Sequence, residues 1–351
     1  MKEKKQKVLV AMSGGVDSAV TAALLKRAGF DVQGVFLRLT DLPNSKQGEK
    51  GARKIAKILK VPFIVFDLRK EFRKEVIDYF LKEYQSGRTP NPCVICNEKI
   101  KLGLSFKKAL SLNFDFLATG HYVQKEENGT FKLFESKDKE KDQSYFLWRL
   151  TQNQLGHLLF SVGNHTKPEV RKMAKKFKIS ELIKGESQDI CFIRNSINDF
   201  LEKNLKSKPG QIIDDKGRII GQHQGLHFYT IGQRKGIKIG GVSKPLYVIN
   251  KDINKNILIV SQNPKDLEKK ELICEKVNWI SGKKPKLPLK ARAKIRYRDK
   301  GEWAIIKPLN SQRLKVVFNK KQRAITPGQS VVFYSGQQLL GGGIIKSVDT
   351  L

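Results

Sequence analysis

Three things are scarce in this chain. No stretch approaches the roughly 18 consecutive apolar residues that span a bilayer, so a helical membrane protein is not expected. Cysteine is rare, 4 in 351 residues, so no disulfide framework holds the fold and a reducing, cytoplasmic setting is expected. Acidic residues are outnumbered two to one, 34 Asp+Glu against 68 Lys+Arg, for a formal charge of +34. A charge of that size points to a polyanion, nucleic acid before an acidic membrane surface. A general lysine bias would leave the same mark. The Lys-rich start followed by Val8-Leu9-Val10-Ala11-Met12 mimics a secretory signal, but its apolar run is too short and passes directly into Ser13-Gly14-Gly15. It reads as a first strand. Internal repeats and low-complexity tracts are also lacking.

What is present can build cores: 39% of residues are hydrophobic and 9% aromatic, and the length suggests roughly two to three domains. The first half alternates short apolar runs with helical patterns, the mark of a parallel sheet with crossover helices. Strands are predicted at Val8–Met12, Val32–Leu39, Phe63–Asp67 and Phe116–Thr119. Helices are predicted at Ala19–Ala28, Gly51–Leu59, Glu71–Tyr84 and Lys167–Phe177. After Lys206 the texture changes to short β-branched strands broken by Gly, Asp and Asn. The expected architecture is an α/β domain over residues 1–206, a small β domain over 207–270 and a second β domain over 271–351.

Charge is concentrated in the last of these, which holds 17 Lys+Arg against 5 Asp+Glu. There Arg292, Lys294, Arg296 and Arg298 recur at the strand period of two and would share one face. Such a face suits phosphates, with Tyr297 stacking or packing beneath; a plain solvated face is the alternative.

The strongest local signal is Ala11-Met12-Ser13-Gly14-Gly15-Val16-Asp17-Ser18, between the first strand and the first helix. Glycines let backbone N–H groups approach an anion, and a helix N-terminus adds dipole and free donors. Asp17 sits oddly beside phosphates unless it binds magnesium or orients the loop. No Gly-Lys-Ser/Thr follows, so this is not a Walker A loop, and G-x-G-x-x-G is absent. The segment resembles the pyrophosphate loop of the ATP-pyrophosphatase superfamily, whose members split ATP to AMP and pyrophosphate while adenylating a carbonyl oxygen.

The cysteines narrow this further. Thr89-Pro90-Asn91-Pro92-Cys93-Val94-Ile95-Cys96-Asn97 sets two thiols three positions apart before a predicted helix, and Cys191 follows in Glu186–Ile193. A thiolate suits sulfur carriage or a transient disulfide. Cys274, inside an apolar β segment, reads as buried packing. Together with Ala118–Tyr122, Lys141–Tyr145, Tyr229–Gly236, Arg296–Arg298 and Thr326–Gln329, these segments resemble, in order along nearly the whole chain, the tRNA-specific 2-thiouridylase family.

That resemblance implies a pyrophosphate-loop domain and a C-terminal β-barrel that binds tRNA. Ala11, Met12, Ser13, Gly14, Gly15, Val16, Asp17 and Ser18 would hold the phosphates of ATP, with magnesium, while Leu37 lies near adenine and Gly120 lines the site. Asn91, Pro92 and Cys93 would approach the target uracil. His121, Lys141, Asp142, Gln143, Tyr297, Arg298 and Gln329 would touch the tRNA. Cys191 would carry a persulfide charged by a sulfur-donor protein, either a persulfide relay or a cysteine desulfurase. Cys96 would be the second thiol, closing a disulfide with Cys191. No membrane partner is implied. The family usually carries Asp where this chain has Cys93, and a thiol ionises about four units above a carboxyl. Cys93, Cys96 and Cys191 are therefore also candidate iron–sulfur ligands. His223 and His227 have metal-like spacing without a third partner and read as RNA-facing or structural. A thiolase for another base, or a non-catalytic tRNA-binding or iron–sulfur sensing protein, remains open from the sequence.

Overall fold

The computed structural model describes residues 5–180, 190–237, 239–240 and 244–348. Its first sheet is parallel: β1 (Lys7–Ala11), β2 (Asp31–Arg38), β3 (Phe63–Asp67), β4 (Phe116–Thr119) and, after the hairpin β5 (Val123–Asn128) and β6 (Thr130–Glu135), β7 (Leu158–Phe160). The order is β3-β2-β1-β4-β7. The chain steps outward from β1 to β3, then returns to lay β4 on the other side of β1. At such a reversal the crevice beyond the C-terminal strand ends is where ligands bind, and here Ala11 pairs with Thr119 at its lip. Val8 and Val10 pack into the core beneath helices α1 (Val16–Arg27) and α2 (Pro43–Ile58), while Leu9 enters the core on the opposite face. A strand buried on both faces reads as a continuous apolar run. Helix α2 begins at Pro43 and not at Gly51, because its first two turns are polar and bury nothing that a hydrophobic period could register.

The second sheet comprises β8 (Gly210–Ile213), β9 (Ile219–His223), β10 (Tyr247–Asp252) and β11 (Ile257–Ser261) in the order β10-β11-β8-β9. The third contains β12 (Glu268–Trp279), β13 (Leu289–Lys294), β14 (Glu302–Pro308), β15 (Arg313–Arg323), β16 (Ser330–Ser335) and β17 (Gln338–Ser347). Pairing of β12 with β17 closes these six into a barrel. The chain is thus α/β with two β domains following, the last a barrel.

The barrel is welded to the first domain. Strand β17 also pairs with β6, setting Leu339 against Leu133. Tyr145 and Trp148, both fully buried, donate hydrogen bonds to the Ser330 carbonyl at 2.9 Å and the Ser330 hydroxyl at 3.0 Å. A side chain at Gly342 would meet the Trp148 ring at 2.9 Å, so glycine is required there. One apolar core therefore runs through both domains and includes Leu133, Trp148, Val332 and Leu339.

The expected basic strand face is not what forms. Strand β13 stops at Lys294, because the Asp299 carboxylate accepts from the Ile295 and Gly301 amides at 3.3 and 3.1 Å and bends the chain. Arg296, Tyr297 and Arg298 ride on the turn. Arg292 and Lys294 point inward, each 2.7–2.8 Å from the buried carboxylate of Glu135. Two of the four basic groups are consumed internally, and Arg298 stays exposed.

Candidate active site

The β1–α1 loop is built for an anion. Gly14 has φ +83°, and a side chain there would strike the Gly48 carbonyl oxygen of α2 at 2.5 Å. Ser13 and Ser18 brace the turn: the Ser13 amide donates to Ser18 Oγ at 3.1 Å, and Ser18 Oγ donates to the Gly15 carbonyl at 3.1 Å. Gly15 caps α1 without a side-chain acceptor, so the first-turn amides remain available to a ligand. Gly120 presses on the same helix start; a Cβ would lie 2.7 Å from the Ser18 nitrogen. Met12 is buried, and Leu37 lies half-buried near the C-terminal end of β2.

Asp17 has a structural partner that the sequence did not reveal. Lys167 Nζ lies 2.7 and 2.8 Å from its two oxygens, and Tyr122 OH donates to one of them at 2.8 Å. Lys167 opens the helix Lys167–Lys176, capped by Thr166. No local signal links it to a loop 150 residues away. The pair neutralises the one carboxylate in an anion-binding loop.

Cys93, Cys96 and Cys191 form a second group, coupled electrostatically to one another through Lys101. Asn91 caps the helix that follows, its side chain accepting from the Val94 amide at 3.4 Å, with Pro92 in the first position. The helix runs as α over Pro92–Ile95, as π over Cys96–Leu104 and as α again over Ser105–Ser111. The π segment matters: in an α-helix residue i+5 sits about 140° round from residue i, whereas an i→i+5 ladder stacks it above. Lys101 is thereby brought to the side of Cys96. Its ammonium interacts with Cys96, Cys191 and Cys93; burial would lower its pKa, but the three thiols turn the net shift upward. Burial pushes the Cys96 thiol up to about 12, against the pull of Lys101. Cys191 keeps an exposed surface, yet the protein packed behind it still raises its thiol, again opposed by Lys101. Cys191 is held in place by its neighbour Phe192, whose ring meets Phe72, Phe80 and Phe200 at 5.8, 5.3 and 5.4 Å. Its carbonyl accepts from Asn44 at 3.4 Å. Lys101 was legible only to a reader who knew the helix was π.

All four cysteines are free thiols in this structure, which leaves Cys96 and Cys191 in their reduced state. Among the described residues no three His, Cys, Asp or Glu side chains converge as a metal-holding group. The iron–sulfur expectation for Cys93, Cys96 and Cys191 is not met by their arrangement, in which a cation takes part. Nor is a magnesium cage built by protein side chains among the described residues, and the Asp17 carboxylate is paired with Lys167 and Tyr122. Cys274 is buried in the barrel as expected.

The remaining predicted residues divide by exposure. His121 follows β4, with Nδ1 2.8 Å from Thr119 Oγ1. Burial, and then the charge of Lys101, hold its ring pKa down at about 3. Gln143 accepts from the Tyr122 amide at 3.0 Å. Asp142 is buried, its oxygens accepting from the Ser136 amide and Ser144 hydroxyl at 2.9 and 2.7 Å. That carboxylate shapes the loop. Lys141 is half-buried, and Tyr297 packs on Phe146 at 4.5 Å. Gln329 donates to the Thr89 and Pro90 carbonyls at 2.9 and 3.1 Å. His223 and His227 are buried; His223 Nε2 bonds the Asn256 carbonyl at 3.1 Å, a structural role. No helix among the described residues is long and apolar enough to cross a membrane.

A glycine-rich loop at the switch point of a parallel α/β sheet, opening a helix whose first-turn amides are uncapped, defines a pyrophosphate-loop enzyme. Family models place it more closely. Residues 6–195 match a "tRNA methyl transferase HUP domain", residues 198–262 a "tRNA methyl transferase PRC-barrel domain" and residues 269–345 an "Aminomethyltransferase beta-barrel domain". The tRNA-specific 2-thiouridylase MnmA of Halothermothrix orenii is 48% identical over 97% of this chain and 99% of its own. Proteins of the same name from Carboxydothermus hydrogenoformans and Moorella thermoacetica are 43% and 45% identical, each over 97% of this chain and 98% and 99% of their own. The chain belongs to the tRNA-specific 2-thiouridylase family.

Proposed function

We propose that the chain catalyses ATP-dependent 2-thiolation of the wobble uridine of tRNA, giving 2-thiouridine, AMP and pyrophosphate. The observation that supports this is that Lys101 interacts with both Cys96 and Cys191, while the Cys191 carbonyl accepts from Asn44 of α2, the helix whose Gly48 packs against Gly14 of the β1–α1 loop. Activation of a carbonyl and delivery of sulfur then fall within one crevice. Residues 11–18 and Gly120 hold ATP, with Leu37 beside adenine. Asn91, Pro92 and Cys93 face the uracil, which leaves its stack to enter. His121, Lys141 and Gln143 from the first domain, and Tyr297 and Arg298 from the barrel, flank the RNA, with Asp142 fixing their loop. The work is divided over residues 1–206, 207–270 and 271–351, the first for chemistry and the last for grip.

In the first step the uridine 2-oxygen attacks the α-phosphorus of ATP. The bond to the β-phosphate bridging oxygen breaks, pyrophosphate leaves and the oxygen becomes part of AMP. In the second, the terminal sulfur of a Cys191 persulfide attacks C2 and AMP departs, leaving C2–S–S–Cys191. The Cys96 thiolate then attacks the Cys191 sulfur, and the electrons of the broken S–S bond pass to the base as its thiocarbonyl. Cys96 and Cys191 are left as a disulfide, which a thiol reductant reopens before a sulfur-donor protein recharges the exposed Cys191. Raised thiol pKa values make thiolate supply the scarce quantity near pH 7.

The test is Cys191→Ser. Thiolation measured by nucleoside mass spectrometry should vanish while ATP and tRNA binding persist. Retained 2-thiouridine formation would remove the persulfide role, and a methylated rather than thiolated product from the wild type would overturn the reaction class.

A further inference from the structure

The chain leading into Cys93 and Cys96 is held only in part by its own domain. Between the helix that ends at Gln85 and the one that starts at Pro92, the amides of Ser86, Gly87 and Arg88 bond back to Lys82, Tyr84 and Glu83 of the first helix, but the Thr89 amide and the Gly87, Thr89 and Pro90 carbonyls must be satisfied from elsewhere. The other two domains do this. The Thr89 amide donates to the Pro327 carbonyl at 2.9 Å, and Gln329 spends both amide hydrogens on the Thr89 and Pro90 carbonyls. Gly328, at φ +95°, lets the barrel backbone come close: a Cβ there would sit 2.9–3.0 Å from the backbone of Thr89. From the second domain, Thr230 Oγ1 lies 3.1 Å from Thr89 Oγ1, and Lys251 Nζ donates to the Gly87 carbonyl at 2.9 Å. The second-domain turn also approaches the chain just before the barrel turn, since a Cβ on Gly232, at φ +87°, would meet Ala324 Cβ at 2.7 Å.

We propose that the Thr230–Gln233 turn and the Thr326–Gln329 turn form a two-domain latch that positions the Asn91–Cys96 segment, with Gln329 acting as a positioning residue through Thr89 and Pro90 rather than as an RNA contact. The latch gives the Tyr229–Gly236 and Thr326–Gln329 motifs a purpose that nucleotide or base contact does not. With the latch undocked the segment would lose these partners, and a displacement of about 1 Å in the reacting groups costs on the order of a hundredfold in rate. This inference rests on the thiolation reading.

The experiment compares the full-length wild type with Gln329→Ala, Gln329→Glu and Thr230→Val. Single-turnover thiolation, tRNA affinity by filter binding, and the rate of Cys96 alkylation by iodoacetamide, read by peptide mass spectrometry, are measured on each. Losing two hydrogen bonds to the segment is expected to lower the thiolation rate about tenfold or more, leave tRNA affinity within about twofold, and raise Cys96 alkylation severalfold. Thr230→Val preserves side-chain shape and tests the second-domain side should the Gln329 variants fold poorly. Weakened tRNA affinity at unchanged single-turnover rate would overturn the latch in favour of direct RNA contact, and unchanged values on all three measures would overturn it outright. The alkylation readout needs no thiolation. A wild type that makes no 2-thiouridine would therefore sink the proposed function while the latch is still judged.

Discussion

His121 permits a quantitative test. Its ring sits behind β4 with Thr119 on Nδ1 and the edge of Phe160 at 6.4 Å. Burial first, and the Lys101 ammonium second, hold its pKa at about 3, against about 6.5 for the unfolded chain. The folded pKa is depressed, so below about pH 6.5 the unfolded state binds a proton that the folded state refuses. Stability is complete above that value and is lost as pH falls, by up to about 1.4 kcal/mol per pH unit, until the folded ring titrates. Between pH 7.5 and pH 5 the penalty comes to about 2 kcal/mol, and it hardly depends on whether the folded value is 3 or 4. The chain has 5 histidines, so ring NMR of labelled protein, with His121→Gln for assignment, can follow each one. The His121 resonance should stay still from pH 7.5 to 5, and urea unfolding over that interval should lose about 2 kcal/mol less in His121→Gln than in the wild type. Other acid-titrating groups cancel in that difference. A His121 resonance moving with a midpoint near 6.5, or equal pH losses in both proteins, would refute the reasoning. An RNA contact by His121, as proposed above, would be made at pH 7 by a neutral ring that adds nothing to phosphate attraction.

Lys101→Met should shift the pH–rate profile of thiolation to the alkaline side, because the cation opposes the upward push on Cys96 and Cys191. Activity at pH 7 falls about tenfold for each unit of that shift, and a uniformly reduced but unshifted profile would remove the electrostatic role. Gly14→Ala forces a side chain onto the Gly48 carbonyl at 2.5 Å in a left-handed turn. At about 1–3 kcal/mol of strain, calorimetry should show ATP-analogue affinity down roughly tenfold or more with tRNA affinity intact; normal ATP binding would show that the loop is not the phosphate site. Glu135→Gln removes the charge that compensates Arg292 and Lys294 but keeps a hydrogen-bond acceptor, and Glu135→Ala removes both. Breaking a buried pair costs about 3–5 kcal/mol, so Tm should drop by several degrees, more for Ala than for Gln. A drop below about 2 °C would mean that solvent already screens the network.

Arg292 and Arg298 show where sequence reading succeeds and where it fails. The phosphate loop, its strand and its helix were legible because Gly14, Gly15 and Ser18 act within a few residues of one another, so the pattern and the structure share one length scale. The alternation of Arg292, Lys294, Arg296 and Arg298 is just as local, yet its meaning was decided from afar. Glu135, on the hairpin the sequence reading passed over, draws the first two inward across 157 residues. Asp299 turns the chain before the last two can continue the strand. The same rule separates the cysteines from the lysines around them. A thiol announces its chemistry by residue type, but Lys101 joins it only through a π-helical register set by packing, and Lys167 reaches Asp17 only through the sheet topology. Gln329 makes the point from the opposite side. Its motif is visible in the sequence, but what it binds is the backbone of Thr89 and Pro90, a partner without side-chain identity that no residue pattern can encode.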